Sequence, residues 1–135
     1  MTDTSLQQLI DRTAITDLVS RLGQWLDEGR SDTPRAILTE DVTVATPGGR
    51  AAGIDHVVAQ ARRNHDYEHV QHVITNVLVD LHGDKATARA NLVVTLAGSD
   101  SHSMQGERYR FDATRTPEGW RLSSIAVAPL WKSAG

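Results

Sequence analysis

The stretch Gln71 to Asp84, Gln-His-Val-Ile-Thr-Asn-Val-Leu-Val-Asp-Leu-His-Gly-Asp, constrains the fold more than any other part of the chain. Val73 to Leu81 is β-branched and aliphatic, and Gly83-Asp84 supplies a turn before a second β-rich run opens at Ala86. The pattern is one arm of a long hairpin. Strand side chains alternate between faces, placing His72, Ile74, Asn76 and Leu78 on one side and Val73, Thr75, Val77, Val79 and Leu81 on the other. An antiparallel strand with one wet face alternates apolar with polar, so two apolar faces predict a cover on each. A His and an Asn among aliphatics give the first face the character of a pocket wall.

Upstream, Leu6, Leu9, Ile10, Ile15, Leu18, Val19, Leu22, Trp25 and Leu26 recur at the period of an amphipathic helix. Thr4 with Gln7 reads as a capping box at its start, and Gly29 as a left-handed cap at its end. Asp27 and Glu28 then lie in the last turn, where a carboxylate opposes the helix dipole at a cost of ~0.3 to 1 kcal/mol. Asp27 is the residue to suspect of another purpose, because it borders the apolar stripe and Gly23, one turn earlier, leaves space beside it.

Thr33 to Leu38, with Pro34 at a favoured first position, predicts a short second helix. Val42 to Ala45 is a short strand, Thr46-Pro-Gly-Gly a turn, and Arg50 to Ala52 a return strand. Ile54, Val57, Val58 and Ala61 mark a third helix. Ala86 to Leu96, Gln105 to Thr116 and Trp120 to Leu130 complete a four-strand antiparallel meander after the opening arm. Helices first and a meander afterwards mean α+β, with the helices on one face of a curved sheet.

A chain of 135 residues is one domain with one core. A net charge of -3 and scattered Lys and Arg give no footprint for nucleic acid. Without Cys there is neither a disulfide framework nor a thiolate metal site. No leader pattern and no long apolar run argue for a cytoplasmic protein that does not enter the membrane.

Several pieces, in order along the chain, carry a resemblance: Asp11-Arg-Thr-Ala-Ile-Thr-Asp-Leu-Val19, Leu26-Asp27, Leu38-Thr-Glu-Asp-Val42, Gly53-Ile-Asp, His72 with Asn76, Gly83-Asp84, Gly106 with Tyr109, and Arg115 before Gly119-Trp-Arg-Leu122. Together they resemble the SnoaL-like group of the nuclear transport factor two superfamily, over nearly the whole chain. The resemblance implies a cone-shaped barrel, usually a homodimer packed through its outer sheet face, with a pocket between the helices and the concave face. It implies a dehydratase, isomerase or polyketide cyclase that needs no cofactor and acts on a hydrophobic, oxygenated ring. Asp27 and His72 match the acid/base pair of the dehydratase branch, and Tyr109 and Asn91 are left to hold a carbonyl or enolate oxygen. Trp25, Leu26, Ile74, Leu78, Phe111 and Ile125 would supply the apolar wall, with Asn76 beside them. This chain departs from many relatives where it has Leu26 for Tyr, Phe111 for an acid and Ile125 for Arg. Those three replacements favour an alternative, a binding or dimeric accessory protein of the same fold without chemistry.

His65, Asp66, His69 and His72 raise a metal reading. No His-Glu-x-x-His pattern accompanies them, and the expectation is no metal. Pro47-Gly48-Gly49 lacks the Gly-Lys-Ser/Thr of a phosphate loop, and the serines lack a nucleophile elbow.

Overall fold

Helix α1 (Asp3–Glu28) is the longest helix of the computed structural model, which describes residues 2–29, 33–63 and 68–134. It starts earlier than the sequence predicts. Thr2 is the N-cap, its Oγ1 accepting from the Ser5 N–H at 3.1 Å. Gln7 does not complete a capping box with Thr4; its amide instead donates to Asp11 Oδ1 at 2.9 Å. The apolar stripe is buried only from Asp11 onward, over the sheet, whereas Leu6, Leu9 and Ile10 are about half exposed. Gly29 ends the helix in the left-handed region, as expected, with its N–H on the Trp25 carbonyl.

Short α2 (Pro34–Ile37) leads into β1 (Leu38–Thr46), and a turn at Pro47-Gly48 connects it to β2 (Gly49–Ala52). Helix α3 (Ile54–Arg63) follows, then the meander β3 (His69–His82), β4 (Lys85–Ala97), β5 (His102–Thr116) and β6 (Gly119–Ala134). One six-stranded sheet results, in the order β2-β1-β6-β5-β4-β3, antiparallel throughout except where β1 lies parallel to β6. The sheet is curved, with α1 against β3 and β6 and α3 against β1 and β2. Ile15, Val19 and Leu22 of α1 meet Val42, Leu122 and the inward row Ala86, Ala88, Ala90 and Leu92 of β4 in the buried core. Small alanines in that row let the helix approach the sheet.

Strand β3 departs from simple alternation. Thr75 pairs with Asn91 and Leu78 with Arg89, so three steps on β3 oppose two on β4, and Asn76 has φ 58. This is a β-bulge with its strained position taken by Asn, a residue that tolerates left-handed backbone. Beyond it the faces exchange. His72 and Ile74 point inward with Val77, Val79 and Leu81, while Val73, Thr75, Asn76 and Leu78 point outward. The expected wall position of Asn76 and Leu78 is therefore corrected, and so is the outward assignment of Val77, Val79 and Leu81. A bulge, rather than two covered faces, accounts for the two-sided apolar pattern.

At one end of the barrel Asp11 is buried and serves three partners. Arg115 donates to both its oxygens at 3.0 and 2.8 Å, the Trp120 indole N–H at 3.1 Å, and Gln7 as described. Arg115 also donates from Nε to Asp84 at 2.9 Å and lies 4.6 Å over the Trp120 ring. The bidentate hydrogen bond of Arg115 is the main reason that the Asp11 carboxyl is held down at about 2, against an opposing effect of burial. This cluster ties α1 to the β3–β4 and β5–β6 turns of the meander.

Candidate active site

Gly23 is the reason α1 can come so close to β3. A Cβ there would lie 3.0 Å from Ile74 Cδ1 and 3.7 Å from the His72 carbonyl oxygen. One turn later the same helix face presents Asp27 to the strand. Asp27 Oδ1 accepts the His72 backbone N–H at 2.8 Å and faces His72 Nδ1 at 2.7 Å. A carboxylate can only accept, so Nδ1 carries the proton and Nε2 is left as the basic nitrogen. Both side chains are mostly shielded, with 15% and 21% exposure for His72 and Asp27.

His72 borders a cavity of about 460 Å³ between α1, α3 and the inner sheet face. Trp25 and Leu26 of α1, Val44 of β1, Val57 and Ala61 of α3, Leu92 and Val94 of β4, and Ile125 and Val127 of β6 make it largely apolar. Such a lining with a few placed polar groups is the usual character of a small-molecule site. Among the described residues the lining holds no Lys or Arg.

The predicted residues divide by position. Trp25, Leu26, His72, Tyr109 and Ile125 surround the cavity. Ile74 faces inward but packs on Gly23, and Phe111 is buried beneath Tyr109, their ring centroids 4.8 Å apart. Asn76, Leu78 and Asn91 lie on the outer face and cannot reach the cavity. For Asn91 the reason is parity: Ala90 and Leu92 are turned inward on either side of it. It therefore does not join Tyr109 in holding an oxygen.

Two residues that the sequence reading did not select replace them. Gln105 and Glu107 share the inward face of β5 with Tyr109, at every second position, and both line the cavity. Period-two spacing from Tyr109 is the signal that could have found them. Burial raises the Glu107 carboxyl above its ordinary value. Burial, then the charges of Glu107 and Asp27, push the Tyr109 phenol up, so it remains a hydrogen-bond donor. On α3, Gln60 donates to Thr46 Oγ1 and the Gly49 carbonyl but leaves Oε1 buried without a partner.

His69 is exposed on the opposite side of β3 from His72, an odd number of residues away, so the two do not share a ligand. His65 and Asp66 lie outside the described residues. Among the described residues no group of three His, Asp or Glu side chains is arranged around a metal position. No helix among them is long and apolar enough to cross a membrane.

Helices closing one face of a curved sheet around a cavity, with a carboxylate-held histidine at its wall, define an α+β cone. The family model of the SnoaL-like domain matches residues 7–126, and the chain belongs to that family. No curated protein matches it. Among solved structures, an NTF2-like protein with a cystatin-like fold from Novosphingobium aromaticivorans is 29% identical, with 94% of this chain and 86% of that one covered and a TM-score of 0.78. The hexachlorocyclohexane dehydrochlorinase LinA-type3 from Novosphingobium barchaimii is 18% identical over 97% of this chain and 94% of its own, with a TM-score of 0.88. A candidate scytalone dehydratase from Novosphingobium aromaticivorans is 17% identical over 98% and 91%, with a TM-score of 0.83. These last two show the shared fold.

Proposed function

We propose that the chain is a cofactor-independent lyase or isomerase acting on a hydrophobic, oxygenated ring molecule, polyketide-like or steroid-like in size. The observation that carries this reading is the 2.7 Å contact of Asp27 Oδ1 with His72 Nδ1 at the wall of an apolar cavity. Asp27 fixes the tautomer and stabilises the imidazolium formed when Nε2 takes a proton. In an elimination, Nε2 removes the proton from carbon, the C–H pair becomes the new double bond, and the leaving group departs with its own bonding pair. In an isomerisation the imidazolium returns the proton to a different carbon. The dehydrochlorinase and the candidate dehydratase that share the fold are named for eliminations, which supports the lyase form.

The test is turnover of cyclic alcohols and ketones by the wild type and by His72→Gln, with folding followed by circular dichroism. A loss of about 10²- to 10⁴-fold with retained folding is expected for a general base. Unchanged turnover sinks the mechanism.

Leu26 and Ile125 at the cavity wall favour a second reading, a binding module without chemistry. Ligand affinity without turnover of any bound ring compound distinguishes it. A homodimer through the outer face of the sheet completes the proposal, and the single domain is proposed to span residues 1–135. On that face Val73, Leu78, Met104 and Trp131 are large apolar residues open to solvent.

A further inference from the structure

The inward row of β5 contains three polar side chains that the fold does not use. Neither Gln105, Glu107 nor Tyr109 makes a side-chain hydrogen bond or ion pair to any described residue, and Tyr109 is 3% exposed. Their polar atoms are not sealed inside the protein, where, among the described residues, the fully buried unpartnered side-chain atoms belong to Thr39, Gln60 and Ser103; they open onto the cavity instead. Three such groups in one row, all on the same cavity, mark that wall as built for something other than stability.

Glu107 is the most consequential. Its cross-strand neighbours are Leu92 and Pro129, an apolar pair, and Pro129 is followed by a register shift at Leu130 where β6 carries one residue more than β5. Among the described residues no Lys or Arg reaches the cavity lining to neutralise it. The other carboxylate, Asp27, is committed to His72. His72, Val94 and Gln105 lie in register across β3, β4 and β5, and Glu107 is two residues farther along. Two strand spacings separate His72 from the β5 row, about 10 Å, and from Gln105 to Tyr109 the row runs about 14 Å. A molecule that reaches both His72 and Glu107 is therefore about the length of a fused two-ring scaffold.

We propose that Glu107 is the specificity-determining acceptor of the cavity, receiving an O–H or N–H of a non-anionic, two-ring substrate whose reacting carbon faces His72. The inference rests on the reading of this cavity as the substrate site. It adds the substrate class: an alcohol, a phenol or a protonated amine fits, and a carboxylate or phosphate on that end of the molecule is rejected by the unpaired charge. The raised carboxyl is consistent with a group that lacks its partner until a ligand arrives.

The experiment measures binding of three probes by calorimetry at neutral pH: 2-naphthylmethanol, protonated 2-naphthylmethylamine and 2-naphthoate. Proteins are the wild type, Glu107→Gln and Glu107→Leu. The wild type is expected to bind the alcohol or the amine at least 10-fold more tightly than the naphthoate. Glu107→Leu removes that preference and gains affinity for naphthoate. Glu107→Gln separates the two donors, because the amide oxygen still accepts from a hydroxyl but no longer neutralises an ammonium. Glu107→Leu is also expected to raise Tm, since it removes an unpaired, partly buried carboxyl; a fall in Tm makes Glu107 a structural residue and overturns the proposal. Equal binding of all three probes, binding of none, or a preference surviving in Glu107→Leu overturns it as well. If the preference holds while His72→Gln leaves turnover unchanged, the acid/base mechanism fails and this assignment stands. The reverse result removes Glu107 and leaves the mechanism.

Discussion

Asp27 uses one oxygen for both the backbone and the ring of His72, which locks the ring to the strand that carries it. That is preorganisation: the base does not have to search for its position when substrate enters. Asp11 plays a contrasting part, with its oxygens committed to Arg115, Trp120 and Gln7 at the far end of α1. Asp11→Asn is expected to destabilise the fold by about 3 kcal/mol, the cost of breaking a shielded, bidentate pair, measured by urea denaturation. The acid response follows from the same residue. Its carboxyl sits at about 2 in the fold against 3.8 in its reference state. Its stabilisation is complete above the reference value and is lost as pH falls through that window toward 2. Asp11→Asn should therefore flatten stability against pH between about 4 and 2 relative to wild type. Asp11, Trp120 and Arg115 were visible in the sequence as a family pattern; that they form one cluster was not, because 104 residues separate Asp11 from Arg115.

Strand β3 shows how one residue redirects an element. The bulge at Asn76 turns Val77, Val79 and Leu81 inward after His72 and Ile74, so the strand gives its inner face to the site first and to the core afterwards. Asn76→Gly is expected to be neutral or slightly stabilising and Asn76→Val to cost about 1 to 2 kcal/mol, because a β-branched residue resists positive φ. Loss of equal stability in both variants, by urea denaturation, contradicts the bulge account. An Asn amid β-branched residues was the only local sign of it, and strict alternation overlooked it. Strands β4 and β5 carried a parity signal that the reading of the site did not use. The run Ala86, Ala88, Ala90, Leu92 fixes the inward parity of β4 and puts Asn91 outside; Tyr109 likewise fixes Glu107 and Gln105 inside. Helix α1 was readable from its period, but its exposed start was not, since periodicity does not say where the sheet lies beneath a helix.

At the scale of the whole molecule, the sheet has an inner face filled by helices and a cavity, and an outer face whose character is mixed. Arg89, Arg108 and Arg110 lie beside Asp80 and Asp112 on that outer face, near the exposed Leu78. A two-fold axis lets such a surface complement itself, with apolar groups meeting and opposite charges paired. Sedimentation at micromolar concentration is expected to show a dimer that Leu78→Lys converts to monomer while the cavity's ligand affinity persists. A wild-type monomer contradicts the proposed assembly. The order of helices and meander strands was sufficient to read α+β with helices on one face of a curved sheet, the cone came from the family resemblance, and the known structures share the fold. Which polar groups enter the cavity depended on strand parity and on one bulge, both set by tertiary packing. The account as a whole depends on His72 presenting a free basic Nε2 to that cavity. The most direct measurement is nitrogen NMR of ring-labelled histidine, assigning His72 by substitution and comparing wild type with Asp27→Ala. The expected result is a His72 ring whose neutral form carries its proton on Nδ1 in the wild type and reverts to the commoner Nε2–H form without Asp27. A wild-type ring already protonated on Nε2, and unchanged in Asp27→Ala, would contradict the pair and with it the proposed base.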